Sequence, residues 1–223
     1  MTHFATFSGG LDSTALLALL VDRHDPSSVV AVSFDYGQRH EVELRAAAQI
    51  TSHLGVEHRV LNLRGLLSGS SLTGSGAIPE GRYDSTTMAS TVVNGRNLLF
   101  ASAVIAQTAP GDTIAFGVHA GDHHVYPDCR PEFVDALAAV AATYEVAVEA
   151  PWVHMTKDEI VSQGRALGAP LHLTWSCYNG TPPQHCGRCG TCVERAEAFH
   201  LAGVPDPTDY ADPHYWSTLR STA

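Results

Sequence analysis

The alternation of strand-like and helix-like segments is the feature of this sequence that most restricts its fold. Short segments rich in β-branched and apolar residues alternate with segments whose apolar residues recur at helical spacing. The predicted strands are residues 3–7, 29–35, 57–63, 113–118 and 146–150. The predicted helices are residues 13–23, 40–54, 97–108, 131–144 and 156–167. Because strands that alternate with helices pair in parallel through crossovers, the sequence predicts an α/β fold with an open, doubly wound, mostly parallel sheet.

Two segments do not follow this alternation. Residues 64–90 are rich in Gly, Ser and Thr, which is typical of a lid or a disordered segment in a compact domain. Residues 171–223 contain four of the five cysteines, one further predicted helix after Cys192 and a proline-rich end. We therefore predict a main domain of residues 1–170 and a small metal-bound, helical C-terminal segment of residues 171–223.

The composition restricts the class of partner. The chain of 223 residues is 44% hydrophobic and carries a formal charge of −10, which argues against binding a nucleic acid through many phosphate contacts. We therefore expect no direct tRNA binding, although a small anionic substrate can still enter a local positive pocket. No leader-like segment and no apolar run of membrane-spanning length is found, so we expect a cytoplasmic protein without membrane contact.

The loop after the first predicted strand, FSGGLDST at residues 7–14, is poor in side chains. It lies at a strand-to-helix junction, where free N–H groups and the positive end of the helix favour an anion such as phosphate. Ser8, Ser13 and Thr14 can add hydroxyl donors. Asp12 fits such a loop if Mg²⁺ bridges it to the phosphates, or if it caps the helix. The alternative is a capped Gly-Gly turn without a ligand.

The clustered cysteines indicate a metal site. Cys177, Cys186, Cys189 and Cys192 offer four thiolates at a spacing that suits a tetrahedral structural Zn²⁺. An iron–sulfur cluster is the main competitor, since thiolates bind both metals, and a redox CxxC pair is a third interpretation. His185 could replace one ligand. The isolated Cys129 is expected to be an ordinary pocket or core thiol.

The loop resembles the pyrophosphate loop of the N-type ATP pyrophosphatases, which adenylate a carboxyl or carbonyl oxygen and release pyrophosphate. Together with the cysteines, the chain is similar to the QueC family over almost its whole length. The matching strings are FSGGLDST, FDYGQRH at residues 34–40, NGRN at 94–97, YPDCR at 126–130, TKDEI at 156–160, and SCY followed by CGxCxxC. Asn94 and Val125 stand where the family usually has Pro and Gly, which leaves the exact substrate or product open.

This resemblance implies an adenine nucleotide alpha hydrolase-like fold and a specific reaction. In that reaction 7-carboxy-7-deazaguanine and ammonia become 7-cyano-7-deazaguanine through an adenylated carboxylate and an adenylated amide, as part of queuosine or deazapurine biosynthesis. The implied cofactors are ATP, Mg²⁺ and Zn²⁺, and the family suggests a homodimer. Two alternatives stay open: a QueC-like ligase that joins a deazapurine to another amine, in modification or defence, and a non-catalytic zinc-stabilised ATP-binding module.

The implied chemistry needs donors and cations around the phosphates. Lys157, Arg96 and Asp12 are the predicted catalytic residues, although Lys157 could instead be a solvated helix lysine. Asp35 is predicted to serve Mg²⁺ or the ribose, or to form a turn. The predicted nucleotide-binding residues are Phe7, Ser8, Gly9, Gly10, Leu11, Asp12, Ser13, Thr14, Ala15, Leu16, Leu17 and Asp35.

Recognition of the base and its carboxylate is predicted for a second set of residues. A guanine-like base presents two adjacent N–H donors that one carboxylate can accept, which makes Asp122 and Asp128 candidates, with Arg130 available to the substrate carboxylate. Capping or loop roles are the alternatives. The predicted substrate-binding residues are Gln38, Arg39, His40, Asn97, Asp122, Asp128 and Arg130. We interpret the histidines of HAGDHH, residues 119–124, as loop residues and not as a metal site.

Overall fold

Five parallel strands form the centre of the protein, in the order β3-β2-β1-β4-β5. A computed structural model describes residues 1–38 and 42–220 of the chain. The strands are β1 His3–Thr6, β2 Val29–Asp35, β3 Glu57–Asn62, β4 Thr113–Ala115 and β5 Ala147–Glu149. The predicted α/β fold with a doubly wound parallel sheet is therefore confirmed, and each predicted strand is present.

Seven α-helices are found in the described residues. They are α1 Leu11–Arg23, α2 Val42–Leu54, α3 Arg96–Ile105, α4 Pro131–Ala142, α5 Lys157–Ala166, α6 Gly190–Leu201 and α7 Tyr215–Arg220. The first five match the predicted helices to within a few residues, and α6 is the helix predicted in the C-terminal segment. None of the helices in this part of the chain combines the length and the apolar character that crossing a membrane requires.

The two faces of the sheet are covered by different helices because side chains alternate along each strand. On β2, Val29 and Ala31 face a core that also contains apolar residues of α1, α2, α5 and α6. Val30, Val32 and Phe34 face the opposite core, which contains residues of α3 and α4. A strand covered on both faces must be apolar throughout, which explains the run VVAVSF.

β4 is shorter than the predicted strand of residues 113–118. It ends at Ala115, and Phe116, Gly117 and Val118 continue along the wall of the cavity described below. The helix on the far side of that cavity, α5, begins with a capping box in which Thr156 and Glu159 pair with each other's backbone. This cap fixes Lys157 at the first position of the helix.

Residues 64–90 contain no helix or strand but are anchored by buried side chains. Leu72 and Ile78 pack against Trp175 and three of the clustered cysteines in one apolar group. Residues 64–90 therefore pack against the C-terminal segment.

The C-terminal segment is held together by a buried arginine and packs on the main sheet domain through α6. Arg195 is 1% exposed and donates hydrogen bonds to the hydroxyls of Thr174, Ser176 and Thr208 and to the Leu171 carbonyl. Phe199 of the same helix lies in the core beside α1 and α5. The C-terminal segment thus shares a core with the sheet domain, and α6 lies in a fixed position beside it.

Candidate active site

One cavity of about 220 Å³ lies beyond the carboxyl ends of the strands, where open parallel sheets bind their ligands. The loop after β1 forms part of its wall, together with the end of β2, the first turns of α2 and α3, and the C-terminal segment. Residues that follow β4, Tyr83 and the start of α5 also line it. Its polar lining includes Ser8, Asp12, Ser13, Gln38, Glu43, Tyr83, Arg96, Asn97, Asp122, Lys157, Ser176 and Tyr178. Eleven of the residues predicted for catalysis, nucleotide binding or substrate binding therefore line one cavity.

The loop after β1 leaves helix-start donors available. Gly10 is the N-cap of α1 and has no side chain with which to cap it, so no side-chain bond closes the first turn. Ser8 Oγ lies 3.1 Å from Ser13 Oγ and accepts the Gly10 N–H at 3.2 Å. This geometry holds the loop open around its N–H groups and suits an anionic ligand.

The remaining residues predicted to bind the nucleotide lie in the cavity wall or in the core behind the loop. Phe7 and Leu11 line the cavity. Thr14 donates its hydroxyl to the Gly10 carbonyl at 2.7 Å and is fully buried. Ala15, Leu16 and Leu17 are also fully buried in the core. These residues support the loop from behind.

Gly9 is the position of the loop that most requires glycine. Its φ is +78°, a left-handed conformation that side chains disfavour. A Cβ at this position would lie 2.7 Å from the Glu43 carbonyl oxygen and 2.7 Å from the Ala47 nitrogen. The backbone of α2 is therefore packed directly on the loop.

Gly9→Ala is expected to displace the loop from α2 and to weaken ATP binding by at least about tenfold, with a loss of about 1–3 kcal/mol in unfolding free energy. Gly55→Ala is the matched control, because Gly55 also has a positive φ but has nothing within 4 Å of the added carbon. Isothermal titration with ATP and urea unfolding measure both effects. Equal ATP affinity in the two variants would show that close packing at Gly9 does not shape the site.

A buried cluster of charges lies beside the loop. The Lys157 ammonium group is 2.9 Å from a carboxylate oxygen of Asp12 and 2.9 Å from one of Glu194. His119 lies 3.5 Å from Asp122 and 3.9 Å from Glu194. Lys157 is the only lysine in the sequence, and its side chain is 14% exposed. Lys157 is therefore a buried, ion-paired lysine, and the alternative of a solvent-exposed helix lysine is wrong.

The pKa values of this cluster keep the lysine charged. Burial lowers the pKa of Lys157, but Asp12 and Glu194 raise it by more, so it lies above the ordinary lysine value. Burial raises the pKa of Asp12, but Lys157 and His119 lower it by more, so it lies below the ordinary value. The site therefore holds a fixed cation and an ionised carboxylate next to the loop.

Aromatic side chains and one arginine form another part of the cavity wall. The rings of Phe34 and Phe100 are stacked 3.9 Å apart, and Tyr36 lies 5.6 Å from Phe100. The Arg96 guanidinium lies 5.9 Å from the centre of the Tyr126 ring. No carboxylate of the described residues lies within ion-pairing distance of Arg96, so this cation is available to an anionic ligand in a cavity suited to a planar ring.

The cysteine cluster is arranged for a single metal ion. The four sulfur atoms lie within 4.8 Å of one another, and two of the pairs are 4.0 Å and 3.9 Å apart. Backbone N–H groups of Asn179 and Cys186 point at the Cys177 sulfur at 3.3 Å and 3.2 Å, which favours a thiolate. Tetrahedral bonds of about 2.3 Å bring four thiolates to such separations. These cysteines are the one potential metal-binding group found in the part of the chain that the structure describes.

The histidine nearest the cysteines, His185, has protein partners of its own. His185 Nε2 accepts the backbone N–H of Ser176 at 3.2 Å, and its ring stacks on Trp175. His119 is buried, and its Nδ1 accepts the Gly121 N–H at 3.1 Å. Cys129 is buried in the cavity wall, and burial raises the pKa of its thiol well above the usual value, as expected of a pocket thiol.

Several predicted substrate residues have structural partners. Gln38 lines the cavity but also bonds the Tyr36 N–H and the Phe34 carbonyl. Asp35 accepts the Gly37 N–H and pairs with Arg64, as in the turn-forming alternative, and it does not line the cavity. Asp122 lines the cavity and accepts the Tyr83 hydroxyl at 2.8 Å.

Only some residues of the YPDCR string line the cavity: Tyr126 and Cys129 do, whereas Asp128 and Arg130 do not. Asp128 accepts the Asn97 N–H at 2.9 Å at the start of α3 and is not a lining residue, whereas Asn97 is. Arg130 is exposed and donates to the His123 carbonyl. Neither Asn94 nor Val125 lines the cavity, although each lies within two residues of one that does. Arg39 and His40 lie outside the described residues.

Several lining or near-lining acids and hydroxyls were not predicted from the sequence, among them two glutamates and one tyrosine. Glu43 follows the FDYGQRH string by three residues, Tyr83 lies in the irregular segment, and Glu194 follows Cys192 by two residues. Only the neighbourhood of a motif could have pointed to Glu43 and Glu194. Tyr83 has no such signal, because the path of a long irregular segment is set by tertiary packing.

The strand order, the glycine loop after β1 and the cavity beside it define an α/β protein of the PP-loop ATP-pyrophosphatase type. A solved structure with the same general fold is the U34-tRNA thiolase NcsA from Methanococcus maripaludis with its [4Fe-4S] cluster, with a TM-score of 0.50 and 13% identity. The alignment covers 99% of this chain and 71% of that one.

The family follows from the sequence comparisons. The model of the family described as "Queuosine biosynthesis protein QueC" matches residues 3–203. The 7-cyano-7-deazaguanine synthase of Allorhizobium ampelinum is 45% identical over 224 residues, covering 96% of this chain and 94% of that protein. The enzyme of the same name from Ruegeria pomeroyi is 47% identical over 219 residues, covering 94% of each. The chain belongs to the QueC family, as its motifs predicted.

Proposed function

We propose that this protein converts 7-carboxy-7-deazaguanine and ammonia into 7-cyano-7-deazaguanine at the expense of two ATP. One observation carries the proposal: a loop with free helix-start donors, a buried lysine and an arginine-containing aromatic pocket share one cavity. The relatives named 7-cyano-7-deazaguanine synthase, at about 45% identity over almost the whole chain, support the same reaction.

The proposed chemistry makes a poor leaving oxygen into a good one twice. The substrate carboxylate attacks the α-phosphorus of ATP, and pyrophosphate leaves. Ammonia then displaces AMP from the acyl adenylate and gives the amide. The amide oxygen attacks a second ATP and pyrophosphate leaves, and loss of AMP and of both amide protons then forms the nitrile. Both carboxylate oxygens leave on AMP, so the atoms balance.

The loop and Lys157 have the charge that this chemistry needs. Negative charge develops on the α-phosphate oxygens and on the departing pyrophosphate. The N–H groups at the start of α1 and the hydroxyls of Ser8 and Ser13 are placed to hold the phosphates. Lys157 is charged and fixed by two carboxylates, so it needs no reorganisation when the bond breaks.

Asp12 is the residue we propose for Mg²⁺. Its Oδ2 pairs with Lys157, but its Oδ1 is buried without a hydrogen-bond partner in the described part of the chain. A buried carboxylate oxygen without a donor suits a hard cation. Bound there, Mg²⁺ would neutralise phosphate charge, while Asp12 would orient it against the loop.

Arg96 and the rings around it are proposed to hold the deazapurine. Arg96 lies at the start of α3 beside Asn97, and both line the cavity. The guanidinium is suited to the substrate carboxylate or to the phosphate that replaces it. The stacked Phe34 and Phe100 give the wall against which a planar ring system can pack.

We further propose Zn²⁺ at the cysteines, because sulfur atoms this close suit one ion and the thiolates of a four-iron cluster bind four different irons. Free ammonia as the nitrogen source, a homodimer and a cytoplasmic location belong to the same proposal and rest on the family resemblance.

The purified protein with ATP, Mg²⁺, ammonium and 7-carboxy-7-deazaguanine is expected to form two AMP and two pyrophosphate for each nitrile. Chromatography of the nucleotides and mass spectrometry of the base measure the ratio and the exchange of two oxygens for one nitrogen. Formation of ADP would contradict the proposal. AMP formation only with a different amine would support the ligase alternative, and none under any condition would support a non-catalytic module.

A further inference from the structure

Glu43 is a cavity carboxylate that neither the loop nor the charge cluster uses. It lies in the first turn of α2, and its carbonyl packs on Gly9. Its side chain lines the cavity, yet it has no hydrogen-bond or ion-pair partner among residues 1–38 and 42–220. The side chain is only partly exposed, and a partly buried carboxylate without donors is disfavoured in the folded protein. Its presence is explained if a ligand supplies the donors.

Three titratable groups of the same cavity are near enough to influence the ionisation of Glu43. They are Arg96 of α3, Tyr36 and Tyr178. Burial raises the pKa of Glu43 to about 7, against the opposing effect of Arg96. Burial also raises the pKa values of both tyrosines, which therefore stay neutral. The carboxylate thus ionises near neutral pH, and a donor pair on a ligand would favour the ionised form.

The other cavity acid and the predicted Asp128 are already engaged. Asp122 accepts the Tyr83 hydroxyl and lies near His119, and Asp128 accepts the Asn97 N–H at the start of α3. Glu194 is paired with Lys157. Glu43 is therefore the cavity carboxylate with both oxygens available.

We propose that Glu43 determines specificity by accepting the two adjacent N–H donors of a guanine-like base. The inference rests on the proposed function and adds the residue that reads the base. Two carboxylate oxygens match the ring N–H and the exocyclic amine of such a base. An adenine edge offers a donor beside an acceptor, and that acceptor would repel one oxygen, so the same residue would discriminate against the base of ATP.

The test compares two ligands in two variants. Wild-type protein is expected to bind 7-carboxy-7-deazaguanine roughly tenfold to hundredfold more tightly than the analogue without the 2-amino group, because a hydrogen bond to a charged acceptor is lost. Glu43→Gln is expected to lose this preference and keep its ATP affinity. Glu57→Gln, an exposed residue on β3, is the matched control that keeps both. Isothermal titration at pH 8 gives all affinities.

The outcomes separate the inference from the function on which it rests. A full preference retained in Glu43→Gln, or a loss of ATP affinity in place of base affinity, would overturn the role of Glu43. Wild-type protein that binds neither deazapurine would instead refute the proposed function. A loss of the preference in Glu43→Gln alone supports both.

Stability against pH gives a second readout. The folded-state pKa of Glu43 lies above the ordinary value of 4.5, so the folded protein binds this proton more tightly and loses stability as pH rises from about 4.5 to 7. Glu43→Gln lacks this loss and is expected to be the more stable protein at pH 8, with a gain that shrinks toward pH 4.5. A variant less stable than wild type at every pH would indicate a structural role instead.

Discussion

Lys157→Met is expected to lower kcat/KM for AMP formation by roughly 10²- to 10³-fold. The methionine keeps most of the length of the side chain but removes the cation that we propose to contact the phosphates. Because Lys157 lies 2.9 Å from both Asp12 and Glu194, the variant also leaves two buried carboxylates uncompensated. We expect a loss of about 3–5 kcal/mol in unfolding free energy.

A double variant separates these two effects. Lys157→Met with Glu194→Gln removes one carboxylate together with the cation and is expected to recover part of the lost stability without recovering activity. Urea unfolding and a pyrophosphate-release assay measure the two quantities on the same samples. Activity within tenfold of wild type in the single variant would remove Lys157 from the catalytic residues. Recovery of activity in the double variant would make its role one of charge balance alone.

Loss of the metal is expected to abolish AMP formation although the cysteines lie outside the cavity. Trp175, two residues before Cys177, donates its backbone N–H to the Gly9 carbonyl at 3.0 Å. Glu194, two residues after Cys192, pairs with Lys157. The metal site therefore fixes contacts to the loop and to the lysine. Cys192→Ser is expected to lose the ion and about 4 kcal/mol or more of stability.

Cys129→Ser is the matched control for metal content, because Cys129 is buried outside the cluster. It should retain one ion per chain and a thermal transition close to that of wild type. Elemental analysis, thermal unfolding and the pyrophosphate assay follow the three properties. A Cys192→Ser protein that loses its metal and keeps full activity would show that the C-terminal segment does not position the site. Iron in the wild-type sample would replace zinc in the proposal.

The sheet and the loop were predictable because their signals are local. β2 is apolar in VVAVSF except for Ser33, and a glycine pair followed by a leucine-rich helix marks the loop. Parallel pairing then places the loop at the carboxyl edge of the sheet. Lys157 was found because it opens a helix on that same edge.

The partners of these residues were not predictable from the sequence. The Lys157–Glu194 pair depends on how α6 packs against α5, and the Tyr83–Asp122 bond depends on the path of residues 64–90. The motif around Asp128 gave a signal that packing did not follow. Its carboxylate was predicted to bind substrate, but in the structure it accepts the Asn97 N–H at the start of α3. Sequence spacing identifies which residues can do the chemistry, whereas packing decides which of them face the cavity.

Having a single lysine also determines how this protein can be attached to a surface. Amine-directed coupling needs an accessible and uncharged amine, whereas the Lys157 side chain is 14% exposed, paired with two carboxylates and held in its charged form. The amine of Met1 is therefore expected to react first, and a sample immobilised through it would be uniformly oriented with its cavity unmodified.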